Sequence, residues 1–419
     1  SDATSAWMPN IVHGKSPLSG MFVVALLVIL GYWLLVVAGL GIFCGCVGKS
    51  ALRQPPPTVR DEFAVARDVL RLRWSRPFVR NLAFFSYKPQ EFATAEVSDT
   101  GDVVYIGSSQ KTLYALHKTR GETIWQRDFQ SPLSSAPLYI KPGVAGPEPL
   151  LIVGEDAGQV TALEPVSGQP RWTYRTRGPV QTRPVLAGNL LFITSNEGRV
   201  YALDVRTGAW RWQYEREATD TFSIRGQSAA LPVGDRVYVG FPDGYLSCLN
   251  AETGEVIWNR PLAGDATRFT DVDGSPALIG DTLVVSCYAS GLFGLDKKDG
   301  SLRWRYDIEA AGPLTVDAKH GRIYVASATQ GLFSLDEKGR KLWQQILPSQ
   351  GELSQPTLWG SYLLISTALG GLHIADAESG ELLQYFAPGQ GATAAPRAFG
   401  NEVYLLSNAG VFFALTKAH

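Results

Sequence analysis

Cysteine is scarce: four in 419 residues. Cys44 and Cys46 sit inside one apolar run, while Cys248 and Cys287 fall in strand patterns of neighbouring segments, where buried free thiols are the ordinary reading. So poor a pattern neither requires nor excludes an oxidising compartment. Histidine is nearly as rare, and His13, His117, His320, His373 and His419 are scattered without any spacing that would hold zinc. Charge has almost no sign, with 38 basic against 39 acidic side chains and a net charge of −1, so the chain as a whole has no electrostatic preference for nucleic acid. No phosphate-cradling glycine loop and no nucleophile–base arrangement appears, and no cofactor is implied by the residues themselves. Long hydrophobic runs are missing apart from residues 21–47.

Glycine is what the sequence has in abundance, 43 residues in a chain that is 45% hydrophobic and 18% charged. That composition fits a glycine-rich β protein. Residues 226–264, GQSAALPVGDRVYVGFPDGYLSCLNAETGEVIWNRPLAG, supply the unit that the rest repeats. Asp235 to Phe241 alternates as a half-buried strand, Pro242-Asp243-Gly244 turns, Tyr245 to Leu249 is a second strand, Glu252-Thr253-Gly254 turns again, and Glu255 to Asn259 is a third. Ser228 to Val233 adds a more apolar strand in front.

Two markers carry the period. A Gly followed four residues later by Trp occurs as Gly121/Trp125, Gly168/Trp172, Gly208/Trp212, Gly254/Trp258, Gly300/Trp304 and Gly339/Trp343, and Gly380 has Gln384 where the Trp would stand. The second marker is a strand of the form GRVYALD, GYLSCLN or GLFSLD. Units of about 40 to 45 residues with four short strands each are the signature of a β-propeller, whose sheets are too small to bury their faces alone. Each Trp is then expected to fill the wedge between adjacent sheets.

Units begin near residues 94, 134, 182, 226, 271, 311, 354 and 394, which makes eight. The fold class is therefore all-β, an eight-bladed propeller of four-stranded antiparallel blades over residues 69–419. The last unit stops after three strands, and an open ring would leave a strand edge exposed. Residues 69–76, in which Leu70, Leu72 and Trp74 alternate with Arg71 and Arg73, are predicted to close the ring by pairing into the C-terminal blade.

The segments before the propeller read as a polar extension (1–20), an uncharged apolar segment (21–47) and a Pro-rich linker (48–68). The apolar segment is long enough to cross a bilayer. It is either a retained signal anchor or a lipoprotein-type signal cut before Cys46, which makes Cys46 the candidate lipidation site. The flanking Lys49, Arg53 and Arg60 disfavour an external C-terminal side for a retained helix, which leans towards the second alternative.

Departures from the repeat locate a candidate binding face. Measured from the Trp to the small residue that opens the following unit, most connections span 9 to 13 residues, but Trp212 to Ala229 spans 17 and Trp258 to Pro276 spans 18. They occur at the same point of consecutive repeats, so both are expected to emerge side by side on one face. The first carries Phe222, Ile224 and Arg225; the second carries Arg268, Phe269, Asp271 and Asp273. Mixed apolar and charged side chains suit a protein-binding patch, in which apolar groups anchor and charges set register. The plainer alternative is that Arg225 and the aspartates brace two long loops. A calcium loop lacks the further ligands that Asp271 and Asp273 would need.

The repeat G-x-x-x-A-L-D-x-x-T-G-x-x-x-W resembles the pyrroloquinoline-quinone-type propeller repeat. With SIRGQSA followed by RFTDVDGSP, residues 70–419 resemble the BamB family of outer-membrane protein assembly factors. That resemblance implies a lipoprotein on the periplasmic face of the outer membrane. It also implies that the two loops bind a POTRA domain of the barrel-inserting subunit BamA, with Phe222, Ile224, Arg225, Asp271 and Asp273 as partner-binding residues and no catalytic, metal or cofactor site. Phe222 stands where the family has an aliphatic residue. Nascent outer-membrane barrel proteins are a second candidate partner, through strand addition at exposed blade edges. Two other readings share the fold: a scaffold for another envelope assembly, and a quinoprotein dehydrogenase, for which neither an adjacent Cys-Cys pair nor a calcium-holding acidic set is evident.

Overall fold

A computed structural model describes residues 68–78, 90–216, 228–262, 272, 274–348 and 351–418. The extension, the apolar segment with Cys46 and nearly all of the linker lie outside them. Among the described residues no helix is long and apolar enough to cross a membrane.

The described residues form eight four-stranded antiparallel sheets, as the repeat predicts. Blades 1 to 7 take residues 96–128, 138–175, 185–215, 231–261, 277–306, 311–345 and 357–386 in turn. Blade 8 takes three strands from residues 397–417, and its fourth is Leu70–Pro77, which pairs with Val411–Lys417 from Leu70↔Lys417 to Pro77↔Val411. The ring is closed where the sequence predicts closure.

Strand alternation takes a different form from the expected buried and solvated faces. In blade 4, Arg236–Gly240 and Tyr245–Asn250 are buried almost throughout. The reason is that each sheet is sandwiched. Val237, Val239 and Leu249 pack with Phe192 and Trp212 of blade 3. Tyr238, Leu246 and Cys248 pack with Leu283, Val285 and Cys287 of blade 5. Both globular cysteines are buried in that second layer, and burial pushes Cys248 up to about 11. Only the outermost strands, such as Val256–Pro261, alternate with exposed positions.

The tryptophans join neighbouring blades at the rim. A Cβ placed on Gly121, Gly168, Gly208, Gly254, Gly300, Gly339 or Gly380 would come within 2.5–2.9 Å of the Trp ring of the preceding outer strand, and all seven glycines have positive φ. Both the backbone geometry and the close approach therefore demand glycine. In six of these pairs the indole N–H also donates to a backbone carbonyl of the same turn at 2.8–3.1 Å, from Trp74 to Lys118 through Trp304 to Glu337. A register shift next to each Trp bends the outer strand and turns the ring onto its neighbour, and Leu70–Pro77 carries the same shift between Leu72 and Trp74.

Gln384 explains the repeat that lacks Trp. Blade 8 borrows its outer strand from the other end of the chain, so it has no Thr-Gly turn on which a Trp of blade 7 could lie. The Gln384 Oε1 instead accepts from the Val69 and Leu70 N–H groups at 3.0 and 2.7 Å, and its Nε2 donates to the Leu70 carbonyl at 2.8 Å. It clasps the first residues of the closing strand. On the other side of blade 8, towards blade 1, Arg73 and Lys118 both pair with the buried Glu402.

Candidate functional site

The sequence places the candidate partner-binding residues on the two long connections, and Phe222, Ile224, Arg225, Asp271 and Asp273 lie outside the described residues. The residues that flank them are described, and they meet at one place. The last strand of blade 3 ends at Glu215, and Arg216 after it forms an ion pair with Asp243 at 2.5 Å. Its guanidinium lies 4.0 Å from the centroid of the Tyr245 ring, a cation–π contact. Burial works against the Arg216 charge, but the Asp243 carboxylate outweighs it, and the guanidinium pKa is held above its ordinary value. On the far side of this connection, Ser228 is fully buried and its hydroxyl accepts from Gly240 N–H at 3.2 Å.

The second connection is anchored to the same hairpin. Leu262 N–H donates to the Gly244 carbonyl at 2.8 Å, and Val272 N–H donates to the Phe241 carbonyl at 3.3 Å. Both side chains are buried in the layer between blades 4 and 5. Val272 occupies the space that a Cβ on Gly240 would need. Across the two connections, Ala229 N–H donates to Ser275 Oγ at 2.9 Å.

The turn at residues 241–245 is therefore a shared anchor. Three of the four flanks touch it and the fourth bonds to Gly240, one residue before it. The sequence pattern identifies Pro242-Asp243-Gly244 only as a turn and assigns no role to Arg216, Asp243 or Tyr245. The missed signal is an Arg at the end of one outer strand combined with Asp in the next blade's turn.

A second group of residues that sequence spacing missed lies on the ring axis. Glu96 of blade 1 is buried and accepts from Arg183, which precedes blade 3, and from Arg397 of blade 8 at 2.9 Å. Burial lowers the Arg183 pKa, and the charge of Arg397 adds to that effect against the pull of Glu96. Among the described residues no group of three His, Cys, Asp or Glu side chains could hold a metal ion.

Eight four-stranded blades joined by Trp-on-Gly contacts and closed by an N-terminal strand define a pyrroloquinoline-quinone-type repeat propeller. The family model described as outer membrane protein assembly factor BamB matches residues 113–338 and 277–359, more than half of the chain. The chain belongs to that family. A BamB from Yersinia pestis is 26% identical over 275 residues, covering 63% of this chain and 69% of that protein. The crystal structure of BamB from Moraxella catarrhalis superposes with a TM-score of 0.69 at 21% identity, over 83% of this chain and all of that one. A quinohemoprotein alcohol dehydrogenase from Pseudomonas putida HK5 superposes with a TM-score of 0.64 at 15% identity, over 83% of this chain and 76% of that one. Both structural likenesses are likenesses of fold, and a propeller of this kind carries unrelated functions.

Proposed function

We propose that the chain is a non-enzymatic scaffold of outer-membrane β-barrel assembly, docking a BamA-like insertase through a POTRA domain and assisting the folding and insertion of outer-membrane proteins. The observation that carries the reading is the shared anchor at residues 241–245. It ties down the ends of both long connections, so the segments with Phe222, Ile224 and Arg225 and with Asp271 and Asp273 start and finish next to one another. Two segments held in this way offer one contiguous patch, with the apolar residues as anchors and the charges as register. Residues 21–47 tether the propeller to the periplasmic face of the outer membrane, as a retained helix or through acylated Cys46, with residues 48–68 as spacer. The family supports the reading as well.

A photoreactive residue at Ile224, crosslinked in native membranes, tests the docking. The expected product is a POTRA-containing barrel protein that is recovered with the otherwise unaltered chain and lost when Asp271→Arg is added. Capture that persists in the Asp271→Arg chain, or capture of an unrelated envelope protein, overturns the assignment.

A further inference from the structure

The ring axis holds a cavity of about 510 Å³ lined by residues from all eight blades. Its wall is mostly neutral. Among the described residues, Arg183 and Arg397 are the only charged side chains on it, and each is partly exposed, 40% and 35%. Glu96 answers both, and its side chain is only 6% exposed. Two guanidiniums against one carboxylate leave one positive charge in excess. A further carboxylate, that of Asp156, accepts the hydroxyl of the lining residue Ser134 at 2.8 Å.

The donors tell the same story. A guanidinium has five N–H groups. Arg397 gives one to Glu96, and its Nε is buried without a partner. Arg183 gives Nη2 to Glu96 and Nε to the Pro137 carbonyl at 3.4 Å. Three of the neutral side chains around the cavity are already committed to bonds between blades. Thr94 donates to Ala395, Thr315 to Pro356 and Thr357 to Pro396. Positively charged donors therefore remain unused at the two arginines, beside an open volume large enough for a small molecule. A clamp that served only to join blades would require neither the second arginine's surplus charge nor a buried Nε without an acceptor.

We propose that this axial cavity is a binding site for a small oxyanion, a phosphate or carboxylate group held between the guanidiniums of Arg183 and Arg397. Planar guanidiniums match such groups in charge and in two-point geometry. Glu96 competes for the same donors and sets the affinity. Arg183, Arg397 and Glu96 are not among the docking residues, so either reading can fail without the other.

Calorimetric titration of the full chain with inorganic phosphate and with citrate, at fixed ionic strength and with chloride as control, tests the proposal. At least one of the two is expected to bind saturably at one site, at least tenfold more weakly to Arg397→Gln and at least tenfold more tightly to Glu96→Gln. Binding of phosphate alone or of citrate alone identifies the anionic group. Should either variant fail to fold, the arginine Nε–H resonances of the unaltered chain serve instead, and those of Arg183 and Arg397 are expected to shift together on titration. The proposal is overturned if neither anion binds more than chloride, if a folded Arg397→Gln variant binds equally well, or if those resonances stay still.

Discussion

At the scale of single residues, the place where the repeat breaks its own rule is the most informative. Every outer strand from blade 1 to blade 6 offers a Trp to a glycine of the next blade, and Gln384 stands where a seventh would come. A Trp there would have no turn to cover, because blade 8 takes its outer strand from the opposite end of the chain. An amide is the right group at a seam between chain ends, since one side chain satisfies two N–H groups and a carbonyl of the closing strand. Gln384→Ala is expected to leave these groups without partners and to destabilise the propeller by about 1–3 kcal/mol. Hydrogen exchange is expected to quicken at Val69 and Leu70 first. Equal protection in the variant and the parent would mean that the clasp is incidental.

At the scale of elements, the turn at residues 241–245 does more than reverse the chain. Asp243 holds Arg216 and also accepts from Tyr245 N–H at 3.2 Å, so one carboxylate fixes both the turn and the foot of the first connection. The carbonyls of Phe241 and Gly244 hold the second connection. Asp243→Ala is expected to loosen both together, at a cost of about 1–3 kcal/mol because the pair is mostly buried. The Leu262 and Val272 amides are expected to exchange faster even though their own bonds are not mutated, and exchange confined to Arg216 would show that the connections are held separately. Strands, turns and the Trp-Gly frame were legible in the sequence because each is set by residues within a few positions of one another, repeated until chance was excluded. The double-sided burial of Arg236–Gly240 was read as half-buried because a single strand does not reveal that its sheet will be covered twice. Arg183–Glu96–Arg397 and Arg216–Asp243 were invisible for a related reason: the partners come from different blades, up to 301 positions apart, and no local spacing encodes them. The two long connections stood out by length alone, a property that locates a candidate face without giving its geometry.

At the scale of the whole molecule, everything depends on a single non-local strand. Seven blades are each built from consecutive residues, whereas the eighth exists only when Leu70–Pro77 returns to Val411–Lys417. Without that strand the edge of Val411–Lys417 is bare, and Glu402 keeps only Lys118 of its two cations. Gly121 loses the Trp74 ring that covers it, and Phe412 and Tyr404 lose the same ring from their cluster. The aromatic and ionic losses fall at the same seam, so the opened ring is weakened at both blade 8 and blade 1. Removing residues 1–67 is expected to leave the melting temperature within a degree or two of the parent. Removing residues 1–78 is expected to lower it by about 10 °C or more, given the several kcal/mol lost. It should also drive association through the bare edge, visible as a concentration-dependent shift in size-exclusion chromatography. A synthetic peptide of residues 68–78 is expected to restore both the melting temperature and the elution volume of the parent, because it carries the register, the bulge and Trp74. A truncated ring that melts like the parent without the peptide would show that stacking between blades suffices and that the closing strand contributes little to stability.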